Sequence, residues 1–190
     1  TNGGTSIMAI TRLNNNSISS VTALPTAIST GSVLQVKQTY VDTISSQSSP
    51  ATTWTPITGL EVSITPSSAS NKILIFVEWC GEHSEANPHN TTFGLKRDST
   101  DIGLPASFGN RQPGIAPINT SLDGNADSTP ENATYNFLDS PNTTSAITYK
   151  ACVFSQGSST LYNNRTKDSS NDSIDYERLT SSITAMEVLP

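Results

Sequence analysis

The residues best equipped for chemistry in this chain are two histidines, His83 and His89, with Glu82 and Glu85 beside them. Imidazole nitrogens next to carboxylates suit several divalent ions. The pattern E-H-x-E-x-x-x-H nevertheless fixes no geometry, because a Pro-containing stretch separates the two rings and no helix or strand sets their spacing. The reading is a solvated loop with no metal. The acidic run Asp168, Asp172, Asp175 and Glu177 offers the oxygen ligands that calcium prefers, but it lacks the glycine and the bidentate glutamate of an EF-hand. It too reads as a solvated loop. There is no G-x-S-x-G elbow, no H-E-x-x-H pair, no phosphate-binding glycine loop and no dinucleotide fingerprint. No serine is marked as activated, and a carboxylate pair is a spatial fact that spacing does not reveal. The expectation is a protein with no catalytic residue, no metal and no cofactor.

Two further residue classes bear on binding. Cys80 and Cys152 lie inside apolar runs and read as buried thiols acting as small hydrophobes; pairing would need their Cα atoms within about 7 Å. Trp54, Trp79 and the tyrosines could stack against sugar rings. Trp79 follows a strongly apolar run and reads as core. Tyr162 and Tyr176 stand beside polar loops and are the candidate glycan contacts. The seven N-x-S/T matches are what a chain so rich in Asn, Ser and Thr gives by chance.

Charge excludes two partner classes. The net charge is −6 and the ten Lys and Arg are scattered. Nucleic-acid binding needs a basic stripe, and none exists. An anionic membrane surface would repel the chain, and no run of 18 apolar residues is present to cross one. The opening TNGGTSIMAITRL lacks the charged-then-apolar pattern of a signal peptide. Met8-Ala9-Ile10-Thr11 looks like a translation start, which makes residues 1–7 an extension or the end of something longer.

The elements that would position these groups are strands. Ser, Thr and Asn replace much of the usual charged and apolar content; all three disfavour helix interiors, and Thr sits well in strands. Residues 33–45 alternate in part. Leu60, Val62 and Ile64 alternate against Glu61 and Ser63. Ile73-Leu74-Ile75-Phe76-Val77 is continuously apolar, as in a central strand buried on both faces. Phe93 and Leu95 alternate, and 101–105 continues that strand after a turn. Residues 106–133 are loop-like, and a loop that long is often functional or covered by a partner. Strands resume at 134–142, 145–155 and 160–164. After a polar loop at 165–177 the closing stretch sets Ile183, Ala185 and Glu187 against Thr184, Met186 and Val188. Eight to ten short strands with turn signals between them, and no amphipathic helical window, predict an all-β, jelly-roll-like antiparallel β-sandwich over residues 32–190.

Residues 1–31 predict an extended N-terminal arm. Its apolar residues Ile10, Leu13, Ile18, Val21, Leu24 and Ile28, with Pro25, follow neither a helical nor a strand period. They are too sparse to offset about 1–2 kcal/mol of backbone entropy per residue, so the arm should order on a partner.

Six stretches, SISSVTALPTAISTGSVLQV (17–36), LEVSITPSSASNKILIFV (60–77), GLKRDSTDIG (94–103), FLDSPNTTSAITYKA (137–151), LYNNRTKD (161–168) and RLTSSITAMEV (178–188), span most of residues 17–188. In their order and spacing they resemble a family of small fibre-like virion proteins of marine phages, cyanophages among them. That resemblance implies a structural component of the phage particle (a head or tail fibre, or a capsid decoration protein) anchored by its arm to capsid or tail and portal components. It carries no catalytic motif. It fits a homotrimer whose exposed sandwich edges and apolar flank are covered by symmetry. A second function, recognition of host-surface polysaccharide, would sit on the β domain. The 106–133 loop departs from the resemblance, and a partner-specific surface would lie there.

Overall fold

A computed structural model describes residues 33–84, 90–106, 108–119, 128, 130–168 and 174–190. These belong to one compact unit, Val33–Pro190. The arm residues Ile10, Leu13, Ile18, Val21, Leu24, Pro25 and Ile28 lie outside the described residues.

The strands are β1 (Val33–Val41), β2 (Ser45–Ser49), β3 (Thr55–Ile64), β4 (Lys72–His83), β5 (Thr91–Arg97), β6 (Thr100–Ile102), β7 (Ala116–Pro117), β8 (Glu131–Asp139), β9 (Ile147–Ser155), β10 (Ser159–Asn163) and β11 (Ser181–Val188). All pairings are antiparallel. One side of β4 pairs with β11 over residues 72–78 and with β10 over 81–83, and its other side pairs with β8. Beyond β11 lies β1, and beyond β10 lies β2. So β1 and β2 form one broken edge, and β10 and β11 form one broken inner strand. The second sheet runs β3, β9, β5, with β6 and β7 both on the far side of β5.

Taken as eight columns in chain order, the first sheet reads 1-8-3-6 and the second 2-7-4-5. First pairs with last, second with seventh, third with sixth, fourth with fifth. This is one long hairpin rolled on itself, the connectivity of a jelly roll. The predicted all-β sandwich is therefore present, and the closing and opening segments of the unit lie side by side.

Both broken strands break at one level because one residue pins them. Asn164 is fully buried and has φ +60°, a left-handed conformation that Asn tolerates better than most residues. Its Nδ2 donates to the carbonyls of Val41 and Thr43, its Oδ1 accepts from Ser181 Oγ at 2.6 Å, and its backbone N–H donates to Cys80. The polar groups freed by the break are thereby satisfied, as burial requires.

The core lies between the sheets. From the first come Ile73, Ile75, Val77 and Trp79 of β4, with Tyr135, Leu161 and Ile183; from the second come Leu60, Val62, Ile64, Phe93, Leu95, Tyr149 and Val153. Trp79 packs on Phe93 with ring centroids 4.9 Å apart, and its Nε1 donates to Asn163 Oδ1 at 2.8 Å. The backbone of β10 passes so close to Gly81 that a Cβ there would sit 2.0 Å from the Tyr162 carbonyl oxygen.

Glu187 shares the face of Ile183 and Ala185, which is the core face, and it is fully buried. Burial alone would raise its carboxyl. Hydrogen bonds from Asn71, Gln35, Ser67 Oγ and the Ser67 N–H, all at 2.6–2.7 Å, overcome that and hold it at about 2. A buried carboxylate held by neutral donors thus ties β1 and the β3–β4 turn to β11.

Candidate functional site: an apolar sheet face and a buried histidine hub

The apolar run 73–77 differs from its prediction in one respect that matters. It is buried on one face only. Ile73, Ile75 and Val77 enter the core, whereas Leu74 is half-buried and Phe76 is 42% exposed. The pleat sends alternate residues to opposite faces, so this strand presents apolar side chains outward as well as inward. The register then sets a row across four strands: Val36 beside Met186, Met186 beside Leu74, Leu74 beside Leu138. Val36 is 52% and Leu138 46% exposed. At about 4.8 Å per strand the row spans roughly 15 Å. Phe76 widens it on one side, and Val188, opposite Val33, widens it on the other. Lys72 and Glu78 stand on the same face of β4 at opposite ends of the patch. A contiguous apolar row on an otherwise polar surface is the usual mark of an interaction face.

At the far end of β4 lies the group with most chemical character. His83 is the last residue of the strand and only 2% exposed, so the solvated-loop expectation for this ring is corrected: β10 and β5 enclose it. Its Nε2 lies 2.7 Å from Ser159 Oγ, 3.0 Å from Ser155 Oγ and 3.4 Å from Thr91 Oγ1. One ring nitrogen shared among hydroxyls of β5, β9 and β10 fastens three strands to β4. Desolvation lowers the imidazole to about 4, so it is neutral at pH 7. The His83 N–H donates to Glu131 Oε2 at 2.8 Å. Burial, aided by the nearby Glu82 carboxylate, pushes Glu131 up to about 8, against the lowering effect of that hydrogen bond. Next to it, Glu82 accepts from the Lys167 N–H.

These two shifts have opposite signs. Below pH 6.5 the unfolded chain takes up a proton that buried His83 refuses, so its contribution is complete above 6.5 and is lost as pH falls toward 4. Glu131 keeps its proton in the folded state, so its contribution is complete below about 4.5 and is lost as pH rises through 8. Between pH 4.5 and 6.5 the two offset. In His83→Gln, stability should fall steadily from pH 4.5 to 8, by about 4 kcal/mol. In Glu131→Gln it should instead rise by about 3 kcal/mol from pH 4 to 6.5 and then level. Urea denaturation across pH at one protein concentration checks both slopes; parallel wild-type and variant profiles would refute the assignment.

The other residues singled out by sequence are dispersed. His89, Glu85 and Asp172 lie outside the described residues, and among the described residues no three His, Cys, Asp or Glu side chains gather as a metal site. Asp168, Asp175 and Glu177 are exposed on the β10–β11 connection. Cys80 and Cys152 are both free thiols, one on each sheet. Cys152 is fully buried and pushed up to about 12 by desolvation; Cys80 is half-buried on the outer face of β4. Tyr162 is half-buried on β10 with the Arg165 guanidinium 4.5 Å from its ring centre, and Tyr176 is half-buried in the loop before β11. The two candidate glycan contacts therefore stand on separate elements.

The outward apolar row is what sequence reading missed. Its signal was present in the alternation of 72–80: Leu74 and Phe76 fall in phase with Lys72 and Glu78, the polar face. No protein-family model matches the chain, and no curated protein matches it significantly.

Proposed function

We propose that this protein is a non-catalytic structural component of a phage particle, a head or tail fibre or a capsid decoration protein, and that it assembles as a homotrimer. The observation that carries the reading is the apolar row Val36–Met186–Leu74–Leu138 on the outer face of the first sheet. The occupant is a neighbouring copy of the same chain. Oligomer interfaces are richer in apolar area than ordinary surface. Around a three-fold axis three copies running in the same direction can each turn this patch against the flank of the next, a closed heterologous contact. Jelly rolls build capsid shells in known cases, although a fold alone defines no function. The resemblance to small marine-phage fibre proteins supplies the particle, and the sparse apolar content of residues 1–31 supplies the anchor to capsid, tail or portal components.

The test is deletion of residues 8–30. The shortened chain is expected to keep its oligomeric mass and to lose attachment to particles. Particles still decorated by the shortened chain would refute the anchoring role.

A further inference from the structure

The outer face of the second sheet carries a cleft, and its chemistry differs from that of the assembly face. The β6–β7 connection lies over β5 and is fastened there. The Ile115 N–H donates to the Phe93 carbonyl at 2.8 Å, Thr92 Oγ1 donates to the Pro113 carbonyl at 2.8 Å, and a Cβ on Gly114 would sit 2.4 Å from Thr92 Cβ. Between this segment, the β2–β3 turn and the end of β9 is an open cleft of about 550 Å³. Its working surface is Thr52, Asn90, Arg111, Gln112, Phe154 and Gln156.

The amides in this cleft are held in place by the protein. Gln112 Nε2 donates to the carbonyls of Asn90 and Phe154, at 2.9 and 3.0 Å. Asn90 Nδ2 donates to Gln156 Oε1 at 2.7 Å. These bonds fix the amide planes and leave Gln112 Oε1, Asn90 Oδ1 and Gln156 Nε2 with no partner among the described residues. They form a preset pattern of two acceptors and a donor. No carboxylate pairs with the Arg111 guanidinium among the described residues; its neighbour is the Phe108 ring, 5.8 Å away. Phe154 gives the cleft an aromatic wall and is itself backed by Trp54, with ring centroids 5.3 Å apart. Trp54 lies over Gly94, where a Cβ would come 2.8 Å from the indole. Thr52 holds φ +53°, and its N–H is clamped to the Ser155 carbonyl. Strain of that kind persists where the surroundings fix the residue, and it gathers at ligand sites.

We infer that this cleft is a carbohydrate-binding site. Fixed amides, one free guanidinium and an aromatic wall match a ring that presents hydroxyls at its rim and C–H groups on its face. The described lining holds amides, a guanidinium and an aromatic ring, groups that hydrogen-bond hydroxyls and stack on C–H faces. A smaller adjoining cleft of about 320 Å³, with Leu104 and Phe108 in its wall, shares Arg111, Gln112 and Pro113 with the first. It gives a second sugar unit, or an acetyl or methyl substituent, an apolar seat. The site goes beyond the assembly reading, and it lies on the opposite sheet.

The test titrates the full chain with lactose, chitobiose and digalacturonate, following tryptophan fluorescence up to about 50 mM sugar, a range that covers weak single-site affinities. At least one disaccharide is expected to give a saturable change. Arg111→Ala and Gln156→Ala, both at exposed positions, should each weaken it about tenfold while leaving the melting temperature unchanged. Saturation by none of the three would overturn the inference. So would unchanged affinity in both variants, or saturation by inorganic phosphate alone, which would mark Arg111 as a simple anion contact. Any of these results would leave the chain's oligomeric mass, and with it the assembly reading, unaffected.

Discussion

Trp79→Ala is expected to lower stability by about 4–5 kcal/mol, the upper end for truncation of a large core aromatic. Three losses combine. The indole is fully buried and packs on Phe93, so its removal leaves a cavity between the sheets. Its Nε1–H is the donor to Asn163 Oδ1, and that buried acceptor would be stranded. It also lies directly under the crossing of β4 and β10, where Gly81 admits the Tyr162 carbonyl. Trp79→Phe keeps much of the volume and loses the hydrogen bond, so a fall of about 2 kcal/mol is expected. Since domain stabilities are commonly about 5–15 kcal/mol, the alanine variant should be partly unfolded at 37 °C. Urea denaturation at a fixed protein concentration measures the difference; a loss below about 1 kcal/mol would show that Trp79 is not the centre of this core.

The second large effect concerns assembly. Leu138→Glu places a charge in the apolar row while removing little from the fold of the single chain, because Leu138 is 46% exposed. In the proposed trimer each copy would bury that carboxylate against the apolar row. Such a charge costs several kcal/mol, enough to weaken association by 100-fold or more. Phe76→Glu should act the same way from the adjacent row. The expected result is a chain that melts cooperatively and sediments as a monomer. A variant that keeps the wild-type mass would remove this face from the interface.

Much of the sandwich was legible in the sequence because alternation survives wherever one face is buried and the other polar. Leu60, Val62 and Ile64, the run from Ile147 to Val153, and Ile183 and Ala185 all show it, and Glu187 falls in phase with the last two. The run 73–77 misled because two different burdens, core packing inward and an apolar row outward, write the same continuous apolar string as a strand buried on both sides. β2 was invisible because Ser45–Ser49 contains no apolar residue; it exists through its pairing with β10. β8 begins at Glu131, inside the stretch read as loop, because its first residues pair with the far half of β4 rather than bury apolar mass. The burial of the His83 ring was missed for a related reason: three hydroxyls from β5, β9 and β10 converge on it, and convergence of distant segments leaves no local pattern. The cleft on the second sheet is assembled from three such segments, so neither Gln112 nor Gln156 stood out. Tyr162 and Tyr176 did stand out by their polar neighbours, a signal that reports exposure rather than a shared cleft.

The most direct test of the central claim, that the outward apolar row is covered by copies of this chain, is the mass of the 190-residue chain in solution. Sedimentation equilibrium over about 1–100 µM, a range in which a stable homo-oligomer stays associated, should give three times the 20.1 kDa chain mass throughout. A value of 20.1 kDa at every concentration would contradict it.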